Sequence, residues 1–226
     1  MEGLADFNKR CEVCDRAYDA GENECRNPLC MSTNRHFNWN FAIAMRSGVL
    51  ERAINAYKFD GRRGWAIIFG RILAGFLEQQ AQTFRDFDLI VASPTYVGAD
   101  GRDFDHTRLV LQRAAEDVAP GASWPFDLND VPAIIKTGPT DSFTKKTYAQ
   151  RRDLAQTQLR DALRVPDPRR TKGTRILVYD DVFTDGHTLK EVARALLFLG
   201  GAREVCGVTL CRQPYRGRPV PATPSL

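Results

Sequence analysis

No run of roughly 18 consecutive apolar residues occurs in this chain, so no membrane-spanning helix and no membrane insertion are expected. The first residues, MEGLADFNKRCEVC, lack the apolar segment of a secretory signal, which points to a cytoplasmic protein. Internal repeats and low-complexity blocks are missing. So are the GxxxxGK[ST] pattern of a P-loop and any helix-turn-helix signature. Charge of one sign is not in large excess, since 32 Lys and Arg against 28 Asp and Glu leave a formal +4. The basic residues do gather in short pairs, Arg62–Arg63, Lys145–Lys146, Arg151–Arg152 and Arg169–Arg170. Such pairs are either solvated surface or an affinity for a polyanion, whether a phosphorylated small molecule or nucleic acid, and charge alone does not separate the two.

What is present suits a globular protein: 226 residues, 43% hydrophobic and 27% charged. That length accommodates one mid-sized domain plus a small accessory unit. Four of the six cysteines crowd the N-terminal end as Cys11-x2-Cys14-x10-Cys25-x4-Cys30. This is the ligand spacing of a structural tetrahedral zinc site, two short turns each presenting a pair of thiolates. A redox CxxC normally opens a helix after a strand, and no strand pattern precedes this one. Four thiolates leave no open coordination position, so the expected role is structural, with His36 at most a reserve ligand. Residues 1–38 hold too little apolar material to fold alone, and a metal would supply the stability. Cys206 and Cys211 fall in a strand-like EVCGVTLCR and read as small apolar residues.

Beyond the cysteines, helical spacing is expected from Phe41 through about Tyr57 and from Trp65 to Gln82. Residues 88–93 form a short apolar run typical of a buried parallel strand, followed by the loop SPTYVGADGRD and a helix from His106 to Val118. A second strand is expected over Val131–Lys136, a helix over Tyr148–Leu163, a strand over 175–180, a helix over Thr188–Leu199, and a last strand over Glu204–Arg212. Alternating strands and helices indicate an α/β fold, a mostly parallel sheet flanked by helices. The expected organisation is a zinc-binding unit over 1–38, a main domain over 39–213 and a disordered tail over 214–226.

The most informative stretch is ILVYDDVFTDGHT, residues 176–188. An apolar strand runs into Asp180 and Asp181, and then Thr184, Asp185, Gly186, His187 and Thr188 close into a helix start. Ligands bind at the carboxyl ends of strands in such folds. Gly186 lets backbone amides converge, the helix N-terminus favours an anion, and the two threonines add hydroxyl donors. A phosphate held here would place its substituent against two carboxylates. A ribose 5-phosphate meets that demand, with its hydroxyls donating to Asp180 and Asp181 and a Mg²⁺ ion nearby.

The apolar-strand, Asp-Asp, two-residue, Thr-x-Gly-x-Thr arrangement resembles the phosphoribosyl-pyrophosphate (PRPP) signature of type I phosphoribosyltransferases. The cysteine cluster, the YKFDGRRG segment, and a last strand ending in arginine are similar to the ComF family, which joins a zinc unit to a phosphoribosyltransferase domain. GRDFDHT at 101–107 is similar to that family's RGFNQ segment, with Asp103 replacing the glycine and Asp105 the asparagine. The resemblance implies catalytic roles for Asp180 and Asp181, and 5-phosphate binding by Thr184, Asp185, Gly186, His187 and Thr188. It further implies pyrophosphate contacts from Ser93, Pro94, Thr95 and Lys136, and a mobile loop over 137–147 with Lys145 and Lys146. The implied reaction is displacement at ribose C1, with Mg²⁺ stabilising the departing pyrophosphate. Asp185 departs from the usual TTG or TAG. Pointing outward it leaves the backbone cradle intact; pointing inward it lowers phosphate affinity, with His187 offsetting part of the charge. An adaptor in DNA uptake is the alternative, with single-stranded DNA or an uptake helicase as partner. A homo-oligomer is compatible with either reading, and a PRPP-sensing regulator is a third.

Overall fold

The computed structural model describes residues 9–18, 22–119 and 122–214, so most of the expected tail lies outside the described residues. Six strands are found among them: β1 (Asn40–Met45), β2 (Leu89–Ala92), β3 (Ile135–Lys136), β4 (Leu163–Arg164), β5 (Arg175–Phe183) and β6 (Glu204–Arg212). The main sheet has the order β1-β6-β5-β2, and every neighbouring pair is parallel. Helices cover both faces, which is why the central strands are apolar almost without interruption. The helices are α1 (Pro28–Met31), α2 (Gly48–Phe59), α3 (Trp65–Gln79), α4 (Ala81–Phe84), α5 (His106–Glu116), α6 (Tyr148–Leu154), α7 (Arg160–Ala162) and α8 (His187–Phe198).

Strand alternation sorts β5 between two cores. Ile176 and Val178 pack with Leu189, Val192 and Leu196 of α8, and the four N-terminal cysteines belong to this same cluster. Leu177 and Tyr179 pack on the other face with Tyr57 of α2, Phe69 and Leu73 of α3 and Leu111 of α5. The crossing of α3 and α5 is tight, because a Cβ on Gly70 would come within 2.6 Å of the Arg113 Cβ and 2.7 Å of the Ala114 backbone nitrogen.

Four expectations need correction. Residues 41–45 are not helical; they are edge strand β1, and the helix begins at Gly48. Pairing with β6 decides the conformation there, and the cysteine-bearing turn covers the exposed edge. The Asn40 N–H donates to the Val13 carbonyl at 2.8 Å, and the Ala42 N–H to Asp15 Oδ2 at 3.0 Å. Of Val131–Lys136 only Ile135 and Lys136 are extended, and they pair antiparallel with β4 in a separate two-stranded sheet. The helix expected over 148–163 is interrupted by a π turn, Ala155–Leu159, and ends at Ala162, where β4 begins. Finally, β5 continues to Phe183, so both aspartates lie inside the strand.

The tight α3–α5 crossing gives a paired expectation. Gly70→Ala forces two backbones apart and should lower stability by about 1–3 kcal/mol. Gly75→Ala, on the same helix with open space around it, should raise stability by up to about 1 kcal/mol. Urea midpoints of the two variants against the wild type check both.

Candidate functional site

The apolar run of β5 ends against a turn that only glycine fits. Gly186 has φ +90°, and a Cβ there would meet the Phe183 ring at 2.7 Å and the Leu29 side chain at 3.0 Å. Helix α8 starts at the next residue, so its first N–H groups have no intrahelical acceptors. The first helical bond runs from the Lys190 N–H to the Gly186 carbonyl at 2.8 Å. These groups open on a cleft with about 430 Å³ of empty space, bordered by Asn40, Asp180, Thr209, Arg151 and all of residues 184–188.

Several polar groups of the cleft wall lack partners among the described residues. His187 is 3% exposed, and neither ring nitrogen has a hydrogen bond. Burial lowers its pKa against the pull of Asp185, which favours a neutral imidazole; the ring packs on Tyr148. Asn40 donates through Nδ2 to Thr209 Oγ1 at 3.1 Å, while its Oδ1 is left unpaired. Buried polar atoms without partners are costly, and these converge on one hollow.

Asp185 is neither free nor outward. Its Oδ2 accepts from Arg151 Nε at 2.6 Å, and its Oδ1 lies 3.5 Å from the His187 backbone nitrogen. Its carbonyl accepts from Asn27 Nδ2 at 3.0 Å. Asn27 is also the N-cap of α1, between Cys25 and Cys30. The cysteine-bearing segment therefore supports the loop directly, through Asn27 on its backbone and Leu29 beneath Gly186.

The two aspartates, expected to share one ribose, have separate surroundings. Asp180 borders the cleft, with its Oδ1 accepting the Asp181 N–H at 2.8 Å. Burial and then the neighbouring Asp181 charge push its pKa up to about 7. Asp181 is buried, its Oδ2 2.6 Å from Lys58 Nζ of α2 and 3.2 Å from His106 Nε2 of α5. Burial raises its pKa, but the Lys58 ammonium and the His106 contact more than offset this and hold the carboxyl well below the usual range.

The other expected contacts are dispersed. The Ser93 N–H donates to the Tyr179 carbonyl at 2.7 Å, which fixes the start of the loop after β2 beside Asp180. Thr95 Oγ1 lies 3.1 Å from His106 Nδ1. Pro94 borders a different hollow, shared with Asp105, Arg108 and Asp127. Lys136 donates to Thr140 Oγ1 at 2.7 Å, and burial, with Arg102 adding repulsion, lowers its pKa to about 8. Thr184 is exposed and Thr188 half-buried.

Cys11, Cys14, Cys25 and Cys30 bring their sulfurs within 4.8 Å of one another, and all four are buried. The Cys14 and Cys25 sulfurs are 3.6 Å apart, far too long for a disulfide. A tetrahedral Zn–S length of about 2.3 Å implies sulfurs about 3.8 Å apart, so the set fits a metal such as zinc. No second group of three or more such ligands occurs among the described residues.

Lys58, His106, Arg151, Asn27, Asn40 and Thr209 were not singled out as site residues by sequence reasoning. Lys58 and His106 do lie in the quoted YKFDGRRG and GRDFDHT segments, and Arg151 in a basic pair. For Asn27, Asn40 and Thr209 the sequence carries no signal. Compared with known proteins, the chain matches no family model, and no curated protein matches it.

Two outcomes follow from this geometry. The folded state holds the Asp180 proton more tightly than the unfolded chain does. That stabilisation is complete below the ordinary carboxylate range and is lost as pH rises towards 7. Asp180→Asn should therefore gain stability relative to the wild type between pH 4 and pH 8; melting temperatures that keep a constant difference over that interval would contradict it. For the cysteine cluster, metal analysis should find about one equivalent per chain, reduced in Cys14→Ser. Asn27→Ala should keep the metal yet speed amide exchange at residues 185–189 about fivefold, the equivalent of about 1 kcal/mol for one hydrogen bond.

Proposed function

We propose that the protein is a PRPP-binding phosphoribosyltransferase of the ComF type, with zinc on the four cysteines and Mg²⁺ entering with PRPP. The observation that carries this reading is the cleft at the carboxyl end of β5. In it a glycine-initiated helix N-terminus, the unpartnered imidazole of His187 and the half-buried Asp180 face one hollow. The 5-phosphate belongs on the amides that open α8, where N–H groups and helix dipole favour an anion. Arg151 neutralises Asp185, so the third carboxylate does not impose an unopposed charge on that phosphate. Asp180 is the carboxylate that faces the ribose hydroxyls, with Asn40 Oδ1 as a further acceptor. Asp181, held by Lys58 and His106, contributes negative potential behind the sugar, where positive charge develops as pyrophosphate departs. Mg²⁺ supplies charge to the leaving pyrophosphate when bound. Lys136, with its lowered pKa, and the backbone at Ser93 and Pro94 belong to the pyrophosphate side.

The adaptor reading, in which the same domain contacts DNA or an uptake helicase without turnover, is supported by the basic pairs alone. PRPP with Mg²⁺ should raise the melting temperature of the wild-type protein, and Asp180→Asn should abolish that rise. Arg151→Ala should weaken PRPP binding about tenfold, because Asp185 then faces the phosphate uncompensated. A wild-type melting temperature indifferent to PRPP, with salt-sensitive binding to single-stranded DNA, would replace this reading with the adaptor.

A further inference from the structure

Three side chains in series lead away from β5 on the face opposite α8. Asp181 Oδ2 is 3.2 Å from His106 Nε2, and His106 Nδ1 is 3.1 Å from Thr95 Oγ1. We propose that Asp181, His106 and Thr95 form a proton relay that acts as the general base for the incoming acceptor. The inference rests on the phosphoribosyl-transfer reading and adds the group that reading lacks.

Hydrogen-bond accounting sets the direction of the relay. The Thr107 hydroxyl lies 2.6 Å from the Ser93 carbonyl and 2.9 Å from Asp105 Oδ1, both acceptors, so its single proton is committed to them. At 3.5 Å from Thr95 it offers only a distant acceptor. The nearer acceptor for the Thr95 proton is His106 Nδ1. A neutral imidazole has one bare nitrogen and one N–H, and the negative charge of Asp181, 3.2 Å from Nε2 though without an aligned hydrogen bond, favours the N–H on Nε2. Nδ1 is then bare and faces the Thr95 hydroxyl. His106 is 6% exposed while Thr95 is half-exposed, so a ligand meets the relay at Thr95. The charges acting on His106 are Lys58 on α2, Asp181 on β5 and Arg102 before α5, with Asp105 its neighbour in the chain and Tyr57 donating to the His106 carbonyl at 2.6 Å. Burial, Lys58 and Arg102 lower the imidazole pKa while Asp181 raises it, the net direction being down. This keeps the ring unprotonated and ready to accept.

In the transfer step, an acceptor N–H or O–H gives its proton to Thr95 Oγ1 as Thr95 passes its own to His106 Nδ1. The acceptor lone pair forms the bond to ribose C1. The bond from C1 to the pyrophosphate oxygen breaks, and its electron pair leaves with pyrophosphate. The imidazolium rests against Asp181 and returns its proton to solvent through Thr95.

The test uses the full-length protein, with ammonia and water as acceptors for PRPP and Mg²⁺. Nitrogen NMR of histidine-labelled protein, assigned with His106→Gln, should show a neutral His106 protonated at Nε2. Its Nδ1 resonance should shift in Thr95→Val. Both variants should release pyrophosphate about 100-fold more slowly while keeping the PRPP-induced rise in melting temperature. In the wild type, the rate profile should carry a second acid limb below the ordinary imidazole range, beneath the one that Asp180 sets near 7, and Thr95→Val should remove that second limb. An Nδ1-protonated ring, or a Thr95→Val rate and profile matching the wild type, overturns the relay while PRPP binding stands. A wild-type protein that PRPP does not stabilise removes the transfer reading and the relay with it. Should His106→Gln fail to fold, Thr95→Val decides alone, since it replaces one hydroxyl by a methyl of similar size.

Discussion

A β-strand sends consecutive side chains to opposite faces, and β5 carries Asp180 and Asp181 across that divide while buried on both sides. Each carboxylate then faces its own desolvation cost, and the fold meets the two costs differently. Asp181 keeps its charge because α2 and α5 bring Lys58 and His106 to one of its oxygens. Asp180 has no cation of its own beside it; its proton affinity rises until its pKa nears 7. Adjacent carboxylates with widely separated proton affinities are what an acid–base site requires. The separation here follows from strand geometry and from which helices happen to lie on each face.

The cysteine cluster belongs to the same arrangement. It shares a buried cluster with Leu189 and Val192 of α8, its turn satisfies the edge of β1, and Asn27 and Leu29 hold the Asp185–Gly186 turn from beneath. A metal joining the four sulfurs would fix those three supports together. Small cysteine-rich segments with little apolar mass rely on such a cross-link, so loop geometry and metal occupancy are coupled through one asparagine and one leucine.

Local chemistry was legible in the sequence. Glycine at 186 followed by a helix pattern, the thiolate spacing, and the apolar runs of β2, β5 and β6 all depend on neighbouring residues. What depends on distant residues was not. Residues 41–45 take their conformation from pairing with β6 and not from their own spacing, and Ile135–Lys136 pair with a two-residue strand that periodicity cannot reveal. The same distinction runs through the site. Asp180, Asp181 and Asp185 stand out in sequence, whereas Asn40, Lys58 and Arg151 are brought to them from 140, 123 and 34 residues away respectively.

Asp185 shows how such a distant partner changes the meaning of a residue. In sequence it is a third negative charge where an anion should bind. In the fold its Oδ2 is taken by Arg151 at 2.6 Å, and its Oδ1, at 3.5 Å from the His187 nitrogen, caps α8 only weakly. The helix N-terminus is therefore left with positive potential unspent, and a guanidinium stands at the cleft with a fork geometry that suits phosphate as well as carboxylate. An arriving anion meets a locally neutral pair and not a bare carboxylate. On the proposed phosphate-binding reading, affinity would be set by how far Arg151 can serve both partners, and selectivity would reside in α6 as much as in the loop itself.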